Sequence, residues 1–279
     1  MSYRTILVHL QSKDTSDRLL SLAVDLALQH NAHLIAAYVV PSPQFYVSSE
    51  LPIPTEVIER HEIHHKKISR ELKEEFELAT ATHEFVSEWR EIREEGLSMA
   101  STIVDMARTV DLVLMAQRAT NDEIKTHPNL PEDVVLACAR PVIVVPKSAA
   151  EHRFNNVFIA WDGREQAVRA VFDSLPILRE ADSVRIHTIN AKGRGKYRIL
   201  NNPGELANTL SRHGVNVSIS ESDSLNGEVG EEILQYANDI GSDMLVMGAY
   251  GHTRIREYVF GGVTRKVLAE MPIPVLMSH

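Results

Sequence analysis

The sequence repeats itself. Met99, Ile103, Ala107 and Val110 place apolar residues at steps of four, four and three, and Val229, Ile233, Ala237 and Ile240 repeat the same steps. Spacing of that kind puts one apolar stripe along a helix. Each stripe then runs into an aspartate and a short apolar run, Asp111-Leu-Val-Leu-Met in one case and Asp243-Met-Leu-Val-Met in the other. The two copies also close alike, on Arg140-Pro-Val-Ile-Val-Val and Met271-Pro-Ile-Pro-Val-Leu. A chain built this way must fold as one unit used twice, and its 279 residues divide into two domains of about 140, an ordinary domain size.

Short β-branched runs alternate with longer helical segments in both copies, the pattern of parallel strands joined by crossover helices. Strands are expected near 4–10, 33–40, 83–91, 111–116 and 141–145, and again near 156–161, 183–190, 215–220, 243–248 and 273–277. The fold class is therefore α/β, with two repeated domains, each a five-stranded parallel sheet carrying helices on both faces. The domains are expected at 1–150 and 151–279, because the stretch 146–155 is polar and aperiodic. The copies differ in their second helix, expected over about 56–80 in the first and only about 204–213 in the second.

Composition narrows the partners. A formal net charge of −9 opposes binding to nucleic acid and anionic lipid. The single cysteine, Cys138, excludes a disulfide framework and suits a reducing compartment. No apolar run approaches the length of about 20 residues that a membrane span needs, and the start lacks the features of a signal peptide. The expectation is a cytoplasmic protein with no membrane and no nucleic-acid partner.

The chemistry concentrates after the fourth strand of the second copy. There Met247-Gly-Ala-Tyr-Gly-His leads through Arg254 and Arg256 to Phe260-Gly-Gly-Val-Thr-Arg, with glycines at 248, 251, 261 and 262. Ligands of open α/β sheets sit beyond the carboxyl ends of the strands, where a glycine-rich turn lets backbone N–H groups reach phosphate oxygens. The segment after Gly262 reads as a helix whose amino end favours anions, with the Thr264 hydroxyl at hand.

This spacing closely resembles the G-x2-G-x9-G-[S/T] motif of the ATP-binding universal stress proteins, and the resemblance covers the whole chain twice. It extends to Asp162 in Val157-Phe-Ile-Ala-Trp-Asp-Gly, where that family places an aspartate on the nucleoside. It implies an adenine nucleotide alpha hydrolase-like fold and an adenine nucleotide, ATP or ADP or AMP, with or without Mg²⁺. The corresponding contact positions are Ala160, Trp161 and Asp162 at the adenosine end, and Met247, Gly248, Gly251, Gly261, Gly262, Val263 and Thr264 at the phosphate end. One departure stands out, since the family's Ser or Thr is Gly262 here, which removes a hydroxyl from the phosphate pocket. Single-domain members pair through their last strands, so the resemblance implies that 142–145 and 273–277 lie together as an intramolecular pseudo-dimer. It leaves open both a homodimer and an unidentified protein partner.

The first copy lacks these features. Aligned on its fourth and fifth strands, it sets Ala116 against Gly248, Ala119 against Gly251, Leu130-Pro131 against Gly261-Gly262, Asp133 against Thr264 and Gln11 against Asp162. Side chains fill the turn, Pro131 removes a donor, and Asp133 brings negative charge. Its nucleotide site is degenerate.

Three weaker signals have plainer readings. His61-Glu-Ile-His-His65 matches the H-E-x-x-H pattern of zinc peptidases, but the surrounding helix is dense in charge and no third ligand follows. Lys192-Gly-Arg-Gly-Lys196 is a basic loop on the same edge as the nucleotide motif, and Cys138 falls on the apolar side of a helix preceding Pro141. No general base or magnesium cage is evident, so the expected function is stress-response nucleotide binding with occupancy as the signal. Slow hydrolysis is compatible with it. The competing readings are an ATP-dependent activating enzyme of similar fold and a protein-interaction scaffold with a vestigial site.

Overall fold

A computed structural model describes residues 2–43, 55–94, 98–118, 127, 129–147, 153–190, 202–224, 227–249 and 262–279. The first half contains β1 (Thr5–His9), α1 (Lys13–His30), β2 (His33–Val40), α2 (Thr55–Thr80), β3 (Ser87–Arg93), α3 (Met99–Ala107), β4 (Leu112–Ala116), α4 (Leu130–Ala137) and β5 (Val142–Val145). The second contains β6 (Asn156–Ala160), α5 (Glu165–Asp173), α6 (Leu175–Leu178), β7 (Ser183–Asn190), α7 (Pro203–Arg212), β8 (Val217–Asp223), α8 (Val229–Asp239), β9 (Met244–Gly248), α9 (Gly262–Glu270) and β10 (Val275–Ser278).

The strands form one ten-stranded sheet in the order β3-β2-β1-β4-β5-β10-β9-β6-β7-β8. Within each half every pairing is parallel. Where the halves meet, β10 runs antiparallel to β5, with Val275 opposite Val144, Leu276 opposite Ile143 and Met277 opposite Val142. This is the pairing of last strands expected from the resemblance.

Burial follows position in the sheet. The central strands β4 and β5 are buried at every residue, as unbroken apolar runs with helices on both faces should be. One face is covered by α1, α2, α5, α6 and α7, through side chains such as Leu26, Leu72, Ala170 and Leu210. The other is covered by α3, α4, α8 and α9, through Ile103, Val134, Ile233 and Val267.

The repeated aspartates do one job twice. Asp111 accepts from the backbone N–H groups of Arg4 and Thr5 at 2.7 and 3.0 Å, and Asp243 from those of Asn155 and Asn156 at 2.7 and 2.9 Å. Each ties the amino end of its half's first strand to the neighbouring fourth strand. Burial pushes the Asp243 carboxyl above its ordinary pKa, against the pull of those donors. The halves are also joined off the sheet, where the Tyr3 hydroxyl donates to the Asp173 carbonyl at 2.7 Å and Gln29 meets Glu180.

While β10 runs over Val275–Ser278 rather than 273–277, two strands depart furthest from the expected ranges, β3 at Ser87–Arg93 rather than 83–91 and β8 at Val217–Asp223 rather than 215–220. Both lie at the edges of the sheet. There one-sided burial lets charged residues and serines continue a strand, so its limits are set by pairing with β2 and β7 rather than by apolar pattern. Cys138 is buried as expected but lies just past α4, its N–H donating to the Val134 carbonyl at 2.7 Å.

The seam makes a testable demand. Residues 1–147 produced alone would present the apolar edge of β5 unpaired, a template for a second chain. The isolated half should dimerise by light scattering, and Val144→Lys should return it to monomer. A monomeric unmodified half would mean that β5 needs no partner strand.

Candidate functional site

In the second half the carboxyl ends of β6 and β9 stand side by side, Ala160 opposite Met247 in the ladder and His187 of β7 on Ala160's other side. Side chains alternate across a strand. Ala160, Met247 and Val263 therefore gather on the α8/α9 face together with Ile189, forming a small apolar floor below the start of α9.

Beyond β6 the chain turns at Gly163, whose φ of 70° is the left-handed region that glycine occupies freely. Asp162 shapes this turn, its Oδ1 accepting from the Arg164 N–H at 3.0 Å and its Oδ2 lying 3.7 Å from Arg164 Nε. Its side chain keeps 53% of its surface exposed, so the carboxylate can meet a ligand while holding the turn. Trp161 points to the opposite face, against the α5/α7 layer. Among the described residues its indole N–H and the hydroxyl of Thr188 are both buried without a hydrogen-bond partner.

The two described glycines of the motif have different surroundings. A Cβ on Gly248 would stand 2.4 Å from Ala167 N and 2.6 Å from Gln166 C, so the glycine is required by the close passage of α5 behind β9. Gly262, the first residue of α9, has open space where a Cβ would go. Thr264, one turn in, is buried at 3% exposure. Gly251, Gly261, Arg254, Arg256 and the basic segment 192–196 lie outside the described residues.

A polar group that sequence reading passed over flanks this floor. His187 stacks on Tyr236 with ring centroids 3.8 Å apart, and its nitrogens meet Ser220 Oγ at 2.8 Å and Ser222 Oγ at 3.0 Å. The Tyr236 hydroxyl lies 2.6 Å from Ser220 Oγ. Burial holds the imidazole below its ordinary pKa, so this wall is neutral and its hydrogen bonds fix β7, β8 and α8 to one another. The signal available in the sequence was the place of His187 in the period-two alternation of its strand.

The first half offers a different surface. Aligning β1 with β6 sets His9 in the place of Ala160. His9 is 1% exposed, neither ring nitrogen has a partner among the described residues, and burial lowers its pKa to about 3, with His127 adding to the effect. His127 Nε2 in turn lies 3.8 Å from Glu94 Oε2, whose carboxylate accepts from the Ser42 N–H at 2.7 Å. Leu130, Pro131, Glu132 and Asp133 form the first turn of α4, and burial raises the carboxyl pKa of Glu132 and Asp133. An imidazole thus stands where the second half has the methyl group of Ala160, and Pro131, Glu132 and Asp133 stand where it has Gly262, Val263 and Thr264. Ala119 lies outside the described residues.

On α2, His65 is buried with Nδ1 2.7 Å from the Tyr38 hydroxyl, and the His61 ring lies 4.3 Å from it. Among the described residues no group of three His, Cys, Asp or Glu side chains is placed to hold a metal ion, and no helix is long and apolar enough to cross a membrane.

A family description, the universal stress protein family, matches residues 2–146 and again 154–279. A universal stress protein of Synechocystis is 28% identical over 146 residues, covering 52% of this chain and 49% of that protein. A stress response protein of Bacillus subtilis is 40% identical over 55 residues, 20% of this chain and 33% of its own length. The chain thus spans about half or less of these curated relatives. The crystal structure of a universal stress protein from Archaeoglobus fulgidus superimposes with a TM-score of 0.70 at 15% identity, covering 97% of both chains. A Pseudomonas aeruginosa structure described as a putative universal stress protein gives 0.62 at 13% identity, over 98% of this chain and 92% of the other. At such identities the structures establish the fold.

The position of Gly248 has a direct consequence. Gly248→Ala forces backbone apart at α5 and should lower the unfolding free energy by about 1–3 kcal/mol, measured by urea titration without any nucleotide. Unchanged stability would show that α5 yields to the methyl group.

Proposed function

The chain belongs to the universal stress protein family in its tandem form, and on that premise we propose that it binds one adenine nucleotide per chain, in its C-terminal half. The observation that carries this reading is the asymmetry between the two strand-end surfaces. In the second, Ala160 and Met247 leave a small apolar floor for a base, Asp162 offers an exposed carboxylate for a ribose, and Gly262 opens the amino end of α9. In the first, His9 and the α4 turn of Leu130, Pro131 and Asp133 occupy the corresponding places.

Gly251, Gly261 and the backbone of Gly262, Val263 and Thr264 would cradle the phosphates, with the dipole of α9 behind them. Trp161 would belong to the adenosine end by its place between Ala160 and Asp162, with its ring turned to the α5/α7 layer. ATP, ADP and AMP all suit such a cradle, and Mg²⁺ would accompany a triphosphate. Occupancy would serve as a signal in a cytoplasmic stress response, read by a protein partner, and the reading assigns no general base. The boundary between the halves falls within 146–155, with the N-terminal unit, 1–150, degenerate for nucleotide and the C-terminal unit, 151–279, competent.

Calorimetric titration with ATP and Mg²⁺ should saturate at one site per chain, and mass spectrometry of freshly purified, denatured protein should detect an adenine nucleotide. Two equivalent sites would mean that the first half tolerates His9 and Pro131. No binding of any adenine nucleotide would end the proposal.

Gly262→Ser supplies the hydroxyl that the family motif carries, in open space at the first residue of α9. ATP affinity should tighten by about three- to tenfold, the net worth of one ordinary hydrogen bond, with adenosine affinity unchanged. Equal tightening for both ligands would move Gly262 away from the phosphates.

A further inference from the structure

The two ends of α9 are held by different halves of the molecule. The last carbonyls of any helix lack donors from the following turn. In α9 the Val267 carbonyl accepts from the Met271 N–H at 2.8 Å, while those of Leu268 and Ala269 both accept from the side-chain amide of Gln117, at 2.9 and 3.1 Å. Gln117 belongs to the first half. It directly follows β4, and its own N–H donates to the Val145 carbonyl at 2.8 Å, which anchors it to β5 and so to the seam. Aligning β4 with β9 puts Ala249 at the equivalent place in the second half, where a methyl group donates nothing.

We infer that Gln117 is a positioning residue for the phosphate end of the nucleotide site, an inference that rests on reading α9 as the phosphate-facing helix. The amide sets how far α9 stands along its own axis, and thereby where Gly262, Val263 and Thr264 present their N–H groups. Ala160, Asp162 and Met247 lie on or directly after strands, out of reach of that setting. Loss of the amide should therefore weaken ligands that carry phosphates and spare those that do not. The cation of a lysine at this position can donate to the same carbonyls, as basic side chains do at helix carboxyl ends.

The test titrates the full-length chain and its Gln117→Leu and Gln117→Lys variants with ATP and with adenosine. Gln117→Leu should lose ATP affinity by about fivefold or more, the scale of one or two hydrogen bonds, with adenosine affinity held within about twofold, an effect too small to assign to a lost bond. Gln117→Lys should restore ATP binding. Equal losses for both ligands, no loss for ATP, or failure of the lysine to rescue would overturn the inference. Hydrogen exchange on ligand-free protein supplies an independent reading: amides of α9 should exchange faster in Gln117→Leu, and unchanged exchange would show that the amide does not brace the helix. A wild-type chain that bound neither ligand would end the nucleotide reading itself, and faster exchange in the variant would then mark Gln117 as a brace between halves and nothing more.

Discussion

Everything else in the molecule depends on three facing residue pairs, Val142 with Met277, Ile143 with Leu276 and Val144 with Val275. They join two five-stranded parallel sheets into one and do so antiparallel, so the strands of one half run opposite to those of the other. A parallel sheet presents its variable loops at the carboxyl ends of its strands. Reversal at the seam sends those ends, and the surfaces built on them, to opposite sides of the molecule. The same reversal explains the reach of Gln117. α9 begins at the carboxyl ends of its own strands and finishes near those of the other half, where the residue after β4 meets it.

Division of labour within each half follows from the strand direction. At the amino ends, Asp111 and Asp243 lock first strand to fourth with paired backbone donors. Each half-buried carboxylate there satisfies two backbone N–H groups at the start of its half's first strand. The pinned ends carry the same aspartate in both copies. The opposite ends have diverged, with His9 where the other half has Ala160 and Ala116 where it has Gly248. The amino ends of the strands are pinned alike in both halves, and the carboxyl ends are where the halves differ.

Much of this was legible before any coordinates. The stripe through Met99, Ile103 and Ala107 and its repeat through Val229, Ile233 and Ala237 mark α3 and α8, and the buried faces are those the stripes predict. The central strands were readable because burial on both faces leaves no room for polar residues. β3 and β8 were misplaced because an edge strand takes its limits from its neighbour's register. The same divide runs through the candidate site. Gly248 stood out in the sequence, but its need for the space that α5 takes up is a fact of packing, visible only once the helix is in place. His9 was within reach of alignment, since it falls opposite Ala160. Gln117 was not, because nothing local marks a residue whose partners lie about 150 positions away across a domain seam.

The covalent link between the halves changes what mutation can do to them. In a symmetric pair of identical chains every substitution appears twice, so a side chain that closes one site closes both. Fusion removes that constraint. The seam can be kept for stability while the copies differ elsewhere, as His9 in one half differs from Ala160 in the other. Two strand-end surfaces that need not match are inherited together and open to selection separately.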